Sequence, residues 1–279
     1  EGLDLKYNGK MIDFTFVFKE QSSANIMDGF CGFTGKRYNR EILKNELDFY
    51  LTPFSDQVEL KPGKMPVVFY SGGKSSAMKK FYTELNGLAY GTGSSLFAGK
   101  IGEKLFNDEF TLVQSRHPED TVSQFFDMEG TVNEGYKYTL IENGILKTPF
   151  TDKKTAKMFN LSHTGTAGGS YDSVPNLSIP PLKITESEKT VKELLDGREA
   201  IFVAFAGGGD FTPDGGFGTP VQLAYLFDGE KFIGRLPQLQ IQSHLYKMFG
   251  EDFIGVGKDN LSELSDEKTL IMEMEVSSL

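Results

Sequence analysis

The chain has 279 residues, which is enough for one large domain or two ordinary ones, and for a sizeable core without disulfides. It carries 29 Lys and Arg against 39 Asp and Glu, a net charge of −10. Because affinity for phosphate backbones comes mainly from clustered cations, this acidity argues against a broad nucleic-acid surface. The charge is compatible with a soluble protein of the cytoplasm.

The single cysteine, Cys31, excludes an intramolecular disulfide framework and any metal site with several cysteines. Its neighbours Phe30 and Phe33 indicate a buried, structural thiol. No apolar run approaches the ~18 residues of a membrane-spanning helix, so we expect no membrane contact. No signal peptide is visible, and the first residue, Glu1, indicates that the chain begins part-way through a larger protein.

The first predicted elements are a hairpin and a helix. Apolar residues alternate over residues 1–20 on both sides of Asn8-Gly9, which predicts a hairpin that turns at this pair. The spacing of apolar residues over 40–51 predicts a helix. The Lys-Pro-Gly-Lys segment at 61–64 then predicts a boundary that separates residues 1–61 from residues 62–279.

A buried strand is predicted after this boundary, at residues 67–70, because the run is short, apolar and β-branched. A glycine-rich turn follows at 71–76. The next predicted element is a helix over 77–89, with Phe81, Leu85 and Leu88 on one face.

Hairpins dominate the rest of the chain. Two are predicted at Asn143-Gly144 and Asp228-Gly229, both of the type that fits a two-residue loop. A short helix is predicted over 191–197, with strands at 200–206 and 269–276. Since hairpins outnumber strand–helix–strand units, we expect an α+β fold with a large, mainly antiparallel sheet or barrel and a few flanking helices.

The segment Ser71-Gly72-Gly73-Lys74-Ser75-Ser76 has the strand, glycine turn and helix order of a phosphate-binding loop. A Walker loop needs a glycine where Val68 stands, so that pattern fails. The S-G-G-x-D-S turn of ATP-pyrophosphatase (PP-loop) enzymes is a closer match, but Ser75 replaces its Asp. The hairpin-rich context favours a simple helix entry with a serine cap, and nucleotide binding stays the lesser alternative.

Other candidate chemical groups are isolated in the sequence. His117, His163 and His244 have no second His or Cys at ligand spacing, so we interpret them as surface or structural histidines. Asp127 and Glu129 could form an acid/base pair, although a solvated strand end is the favoured interpretation. We therefore predict no metal and no cofactor.

Nine short segments stand in a characteristic order along nearly the whole chain. They are EGLDLKY at residue 1, PVVF at 66, GSSLFAGKIGEKLF at 93, FDMEGT at 126, LIENGIL at 140, LSHTGTAGGS at 161, FAGGGDFTPDGGFG at 205, AYLFDGEKF at 224 and FIGVGKDN at 253. Together they resemble the TldD/PmbA family, also called modulators of DNA gyrase, in its TldE/PmbA branch. The resemblance implies that residues 1–61 end the family's N-terminal or middle region and that residues 62–279 form its C-terminal domain.

The resemblance also implies where a metal would be. TldD-type subunits resemble zinc peptidases with an H-E-x-x-x-H helix and a later cysteine, and TldE/PmbA-type subunits lack these ligands. Counted back from residue 93, the first His position falls on Met78, the Glu position on Lys79 and the second His position on Thr83. No cysteine follows them. A thioether, an ammonium and a hydroxyl cannot replace two imidazoles and a thiolate around Zn²⁺.

We therefore expect a non-catalytic subunit that pairs with a TldD-like zinc peptidase, or with a second copy of itself, and acts on unfolded peptides. Two glycine-lined segments could pair with an extended peptide through its backbone, although the glycines could equally serve tight turns. The predicted peptide-binding residues are Thr164, Gly165, Ala167, Gly168, Gly169, Gly207, Gly208 and Asp210. The alternatives are a self-assembled binding or scaffold protein and, less favoured, a PP-loop-like enzyme that uses ATP.

Overall fold

The computed structural model describes residues 4–21, 28–35, 38–70, 72–121, 123–261 and 268–279. The strands are β1 (Ile12–Phe18), β2 (Gly29–Gly35), β3 (Gly63–Phe69), β4 (Leu112–Ser115), β5 (Lys137–Glu142), β6 (Ile145–Leu146), β7 (Ala167–Gly168), β8 (Asn176–Leu177), β9 (Leu182–Ile184), β10 (Ala200–Ala206), β11 (Asp210–Phe211), β12 (Gly216–Phe227), β13 (Phe232–Arg235), β14 (Leu239–His244), β15 (Phe253–Val256) and β16 (Leu270–Ser278). The α-helices are α1 (Arg40–Leu51), α2 (Gly72–Glu84), α3 (Gly87–Gly91), α4 (Lys153–Phe159), α5 (Val191–Leu195) and α6 (Leu245–Met248).

The chain divides into two compact units. Unit A consists of Lys79–Thr185 together with the residues up to Lys10, and unit B consists of Met11–Met78 and Glu186–Leu279. The predicted division between residues 61 and 62 concerns the order of family regions along the sequence, and it stays a prediction. No helix of the described residues is long and apolar enough to cross a membrane.

Unit B is built on a sheet that closes on itself. The strands follow the order β10, β3, β16, β14, β12, and β12 pairs again with β10. All these pairings are antiparallel except β10 with β3. The predicted α+β fold with a large, mainly antiparallel, barrel-like sheet is therefore confirmed.

The core of unit B forms because its strands are apolar on the enclosed face. In β12, buried and partly buried residues alternate along most of the strand. Tyr225 of this strand is completely buried, and its hydroxyl donates a hydrogen bond to the Tyr50 carbonyl oxygen at 2.7 Å. Burial raises the pKa of the Tyr225 phenol. This bond satisfies the one polar group of a large aromatic side chain, so the ring can fill the core without an unmet donor.

The predicted N-terminal hairpin is wrong. β1 pairs with β2, in a register that joins Ile12 to Gly35 and Phe18 to Gly29. Asp4–Lys10 contains no strand, so the Asn8-Gly9 pair does not join two strands. An alternating strand fits any partner with a compatible face, and the sequence pattern does not identify that partner. The backbone of Cys31 lies in β2, but its thiol lies outside the described side chains.

The helix predicted at residues 40–51 is confirmed as α1. Asn39 caps it, because its side-chain oxygen accepts hydrogen bonds from the backbone amides of Glu41 and Ile42 at 3.0 and 3.4 Å. The short helix predicted near residue 191 is confirmed as α5, which starts with a capping box formed by Thr190 and Glu193.

The helix predicted over 77–89 is two helices, α2 and α3, and α2 begins five residues earlier at Gly72. The break lies at Asn86, whose side chain caps α3 by accepting from the amides of Leu88 and Ala89 at 3.0 and 3.2 Å. Phe81 and Leu85 are buried as predicted, whereas Leu88 is exposed because it lies beyond the break. The apolar spacing continued across Asn86, so the sequence pattern did not reveal that this residue ends one helix and caps the next.

Unit A contains the sheet β6-β5-β4-β9, and its β5–β6 hairpin confirms the predicted turn at Asn143-Gly144. Both turn residues have positive φ, 48° and 77°, as a two-residue hairpin loop requires. The Asp228-Gly229 hairpin is also present between β12 and β13, but Phe227 pairs with Phe232, so its loop has four residues. The Asp228 carboxylate accepts from the amides of Glu230 and Lys231, which stabilises the longer loop.

Candidate functional site

The positions predicted to replace the family's zinc ligands lie on α2. Met78 is buried, whereas Lys79 and Thr83 are exposed. The Thr83 hydroxyl donates a hydrogen bond to the Lys80 carbonyl oxygen at 2.8 Å, within the same helix. A buried thioether, an exposed ammonium and a hydroxyl bonded to its own helix do not fit the tetrahedral nitrogen and sulfur set of a zinc site.

Glu84, a residue that sequence reasoning missed, fixes the end of α2 in unit A. Its side chain is 7% exposed and lies 3.0 Å from the Lys80 ammonium. It also accepts a hydrogen bond from the Leu96 amide, and the Ser95 hydroxyl donates to the Glu84 carbonyl oxygen at 2.6 Å. The segment GSSLF, which carried part of the family resemblance, is thus held to the helix by a buried carboxylate.

The structure does not contain the glycine loop that the phosphate-binding alternative requires, among the residues described between β3 and α2. Gly72 and Gly73 belong to the first turn of α2, and Lys74–Ser76 continue the helix. Ser71 lies outside the described residues. The glycines therefore do not form the extended turn between strand and helix that the alternative needs.

The first glycine segment predicted to bind peptide begins in the interior of unit A. Thr164 and Gly165 are buried, and the Gln114 side-chain amide donates to their carbonyl oxygens at 2.8 and 3.2 Å. Asn133 donates to the Thr164 carbonyl oxygen as well, at 2.9 Å. The Thr164 amide donates to the Thr151 hydroxyl at 3.2 Å. These backbone groups are therefore hydrogen-bonded within the unit.

The rest of this segment leads to the surface. Ala167 is buried and forms strand β7 with Gly168, which pairs with β8. Gly169 is exposed and has a φ of 152°, a conformation that side chains rarely adopt. Only Gly168 and Gly169 of the five predicted residues here have exposed or partly exposed surface.

The second predicted segment lies in unit B and is more open. Gly207 is partly buried and exchanges two hydrogen bonds with the Gln222 side-chain amide, at 2.8 and 3.1 Å. Gly208 and Asp210 are exposed, and Gly208 has a φ of 92°. A side chain at Gly209 would overlap Thr219 of β12. Glycine thus serves both a turn and a close approach of two backbones here, and peptide binding stays a prediction for both segments.

Three side chains that the sequence analysis treated separately meet in unit A. One ligand atom from each of Asp127, Glu129 and His163 lies within 4.8 Å of the other two. Asp127 begins a tight turn that contains Glu129, and His163 follows α4, 34 residues after Glu129. No spacing pattern links a histidine to carboxylates so distant, so only the three-dimensional structure shows this cluster.

A pocket of about 680 Å³ lies in unit B, at residues that the sequence analysis did not select. Its lining includes Arg235, whose guanidinium lies 4.1 Å from the centre of the Phe54 ring and 3.6 Å from the Glu20 carboxylate. None of the predicted peptide-binding residues lines it.

Comparison with known proteins identifies the family. The model of the PmbA/TldA metallopeptidase C-terminal domain matches residues 62–276. The chain is 27% identical over 123 residues to a metalloprotease PmbA homolog of Haemophilus influenzae, covering 43% of this chain and 27% of the relative. It is 29% identical over 184 residues to a metalloprotease TldD homolog of Buchnera aphidicola, covering 63% of this chain and 37% of the relative.

The fold has solved counterparts. The crystal structure of TldE from Thermococcus kodakarensis superposes with a TM-score of 0.72 at 20% identity, over 96% of this chain and 61% of that chain. The chain spans 27% and 37% of the length of the two curated relatives above. The resemblance seen in the sequence is confirmed, and the chain belongs to the PmbA/TldD metallopeptidase family, with the C-terminal domain of that family at residues 62–276.

Proposed function

We propose that this chain is the non-catalytic, TldE/PmbA-like subunit of a TldD–TldE type peptidase assembly, which acts on unfolded peptides in the cytoplasm. The observation that carries this proposal is the donor set on α2. Met78, Lys79 and Thr83 replace the two imidazoles and the carboxylate of the zinc helix, and Met78 is buried. Without those ligands the helix cannot position a zinc-bound water for attack on a peptide bond.

The partner that fits this role is a TldD-like subunit with an intact zinc helix. A homodimer would combine two copies of α2, neither of which carries the zinc ligands, so it would bring no peptidase centre. The heterodimer therefore explains a peptidase-family chain without ligands, whereas the homodimer fits the alternative of a scaffold protein.

The proposed contribution of this chain to substrate binding is backbone pairing with an extended peptide. In unit B the exposed turn at Gly208 and Asp210 offers a surface without bulky side chains. In unit A the exposed end of the segment, Gly168 and Gly169, has the same character, and the buried Thr164–Ala167 part holds it in place. We propose that these two surfaces each contact substrate.

The test is reconstitution with a TldD-like protein from the same source. We expect the two chains to co-purify, and we expect the pair to cleave an unfolded protein in a reaction that a chelator stops. This chain alone should show no cleavage. Chelator-sensitive cleavage by this chain alone, or a TldD-like protein that never co-purifies and is equally active without it, would contradict the proposal.

A triple variant, Met78→Ala/Lys79→Ala/Thr83→Ala, tests further whether α2 of this chain takes part in catalysis. If α2 has no catalytic role here, this variant should support cleavage by the partner as well as the wild-type chain, provided that it still folds. The measurement is cleavage of the unfolded protein by the assembled pair. Metal content would not answer the question, because a metal ion bound elsewhere on this chain would not be catalytic.

A further inference from the structure

We propose that Asp127, Glu129 and His163 of unit A bind one divalent transition-metal ion, at a site separate from the zinc positions of the family. The site lies on the turn at 127–131 and on the segment that follows α4. Its role would be structural, because it joins two segments that are distant in the sequence. The inference is independent of the proposed function.

The three side chains offer ligand atoms at nearly the separation that a metal needs. All three atoms lie within 4.8 Å of one another, and His163 Nε2 lies 3.6 Å from Glu129 Oε2. Metal bonds of about 2.0–2.2 Å place neighbouring ligand atoms about 3–4 Å apart. A small side-chain movement is therefore enough to close the three atoms around an ion.

Asp127 is held rigidly in this position. It is completely buried, and its carboxylate accepts hydrogen bonds from the amides of Glu129, Thr131 and Ala167 at 3.0, 2.8 and 3.0 Å. Oδ1 accepts two of these bonds and Oδ2 accepts one, so Oδ2 keeps one lone pair that can bind an ion. Metal-ligating carboxylates are typically oriented by such outer hydrogen bonds.

Glu129 is held from the other side. Its carboxylate accepts from the Lys153 amide at 3.0 Å, and the Lys153 ammonium donates to the Glu129 carbonyl oxygen at 3.0 Å. The side chain is 16% exposed. The start of α4 thus directs this carboxylate toward His163.

His163 has a buried ring nitrogen that lies 3.6 Å from the Glu129 carboxylate, too far for a hydrogen bond. Its Nε2 atom is buried, and no hydrogen-bond partner for it lies among the residues that the structure describes. A buried polar atom without a partner costs free energy, and a metal ion would remove this cost. The histidine side chain as a whole is 30% exposed, so an ion can reach the site from solvent.

The donor set selects the class of metal. One imidazole nitrogen with two carboxylates suits Zn²⁺ or Mn²⁺, whereas Mg²⁺ and Ca²⁺ prefer sites made only of oxygen. Because an ion that binds only the folded state stabilises it, metal should raise the thermal stability of the chain.

The experiment uses the full chain after treatment with a chelator that is then removed. Calorimetric titration with Zn²⁺, and separately with Mn²⁺, should show one ion per chain, and the Tm should rise on binding. Mg²⁺ at the same concentration should have a much smaller effect. His163→Ala should weaken binding at least about tenfold and abolish the rise in Tm.

His117→Ala is the matched control, because His117 lies in the same unit, 3.9 Å from the Glu119 carboxylate, and belongs to no metal-ligand cluster of the described residues. It should bind metal as the wild type does. If His163→Ala does not fold, Glu129→Gln keeps the acceptor for the Lys153 amide while it removes the charge, and the same loss is expected.

No stabilisation of the wild type by either metal, or equal binding by the wild type and His163→Ala, would overturn the inference. Equal loss of binding in His163→Ala and His117→Ala would also overturn it, because binding would then not be specific to this cluster. None of these results bears on the proposed function, which is measured by cleavage in the presence of the partner.

Discussion

Asp120 is the residue whose charge the fold perturbs most clearly within unit A. Its carboxylate accepts hydrogen bonds from the Lys183 ammonium at 2.8 Å and from the Ser115 hydroxyl at 2.6 Å. The Lys137 ammonium lies 3.3 Å away. Burial alone would raise the pKa of Asp120, but the hydrogen bonds from Lys183 and Ser115 and the charges of Lys183 and Lys137 outweigh it and lower the pKa to about 2.

A depressed carboxylate pKa stabilises the folded state above the ordinary value near 3.8, and this stability is lost as the pH falls toward about 2. We expect Asp120→Asn to lower the free energy of unfolding at pH 7 by about 1 kcal/mol, since partly exposed lysines and salt reduce the full effect. Urea denaturation should show a constant difference from pH 7 to about pH 5, which shrinks below about pH 4.

Asp172→Asn is the control for this prediction, because Asp172 is an exposed carboxylate in the same unit. It should leave the unfolding free energy unchanged. A pH-independent difference between Asp120→Asn and the wild type would show that the charge of Asp120 does not act through these lysines.

The candidate site shows what residue types alone reveal. The family resemblance assigned the zinc positions to residues 78, 79 and 83, and the residue types there were then enough to predict that the zinc set is missing. The approach of His163 to Asp127 and Glu129 was not predictable, since it depends on how two loops fold against each other. The burial of Thr164 and Gly165 was hidden for the same reason.

Gly144 and Gly197 both lie in turns and have similar backbone conformations, but the space around them differs. Gly144 in the β5–β6 hairpin and Gly197 after α5 have nearly equal φ, 77° and 75°. A side chain at Gly144 would overlap the Phe106 carbonyl oxygen, whereas nothing lies within 4 Å of one at Gly197. An alanine at Gly197 would therefore suffer backbone strain alone, whereas an alanine at Gly144 would suffer backbone strain and steric overlap.

We expect Gly197→Ala to destabilise the chain by about 1–2 kcal/mol, the cost of a left-handed conformation for a residue with a Cβ atom. Gly144→Ala should cost about 1–3 kcal/mol more, because the hairpin must move away from Phe106. Chemical denaturation of both variants measures the difference. Equal effects would mean that the hairpin relaxes freely around the new methyl group.

The elements that the sequence predicted well are those defined by local rules. The helix α1, the capping box of α5 and the Asn143-Gly144 turn depend on residues within a few positions of one another. The β1–β2 pairing joins consecutive strands that no short turn motif links, and the closure of the barrel joins strands far apart in the sequence, so local patterns encode neither. At Asp228 the hairpin was predicted correctly but its loop length was not. The loop has four residues, and the Asp228 carboxylate stabilises it by accepting hydrogen bonds from the backbone.

The net charge of −10 is a property of the whole molecule, and it governs long-range encounters. We expect no binding of duplex DNA at physiological salt, because the phosphate backbone would meet a like-charged protein. An electrophoretic mobility shift assay at micromolar protein measures this, with a basic DNA-binding protein as the positive control. A salt-sensitive shift by this chain would contradict the expectation and reveal a local basic surface.

The closure of the barrel also affects how the chain is made. The two neighbours of β3 in the sheet, β10 and β16, follow it by about 130 and 200 residues. At a synthesis rate of about 5–20 residues per second, β3 waits roughly 7–26 s for its first partner and about 10–40 s for the second. During that time the apolar run Val67-Val68-Phe69, which is buried in the folded barrel, lacks both of the strands that pair with it. The barrel can therefore close only after β16 has been made, whatever the order in which the earlier strands pair.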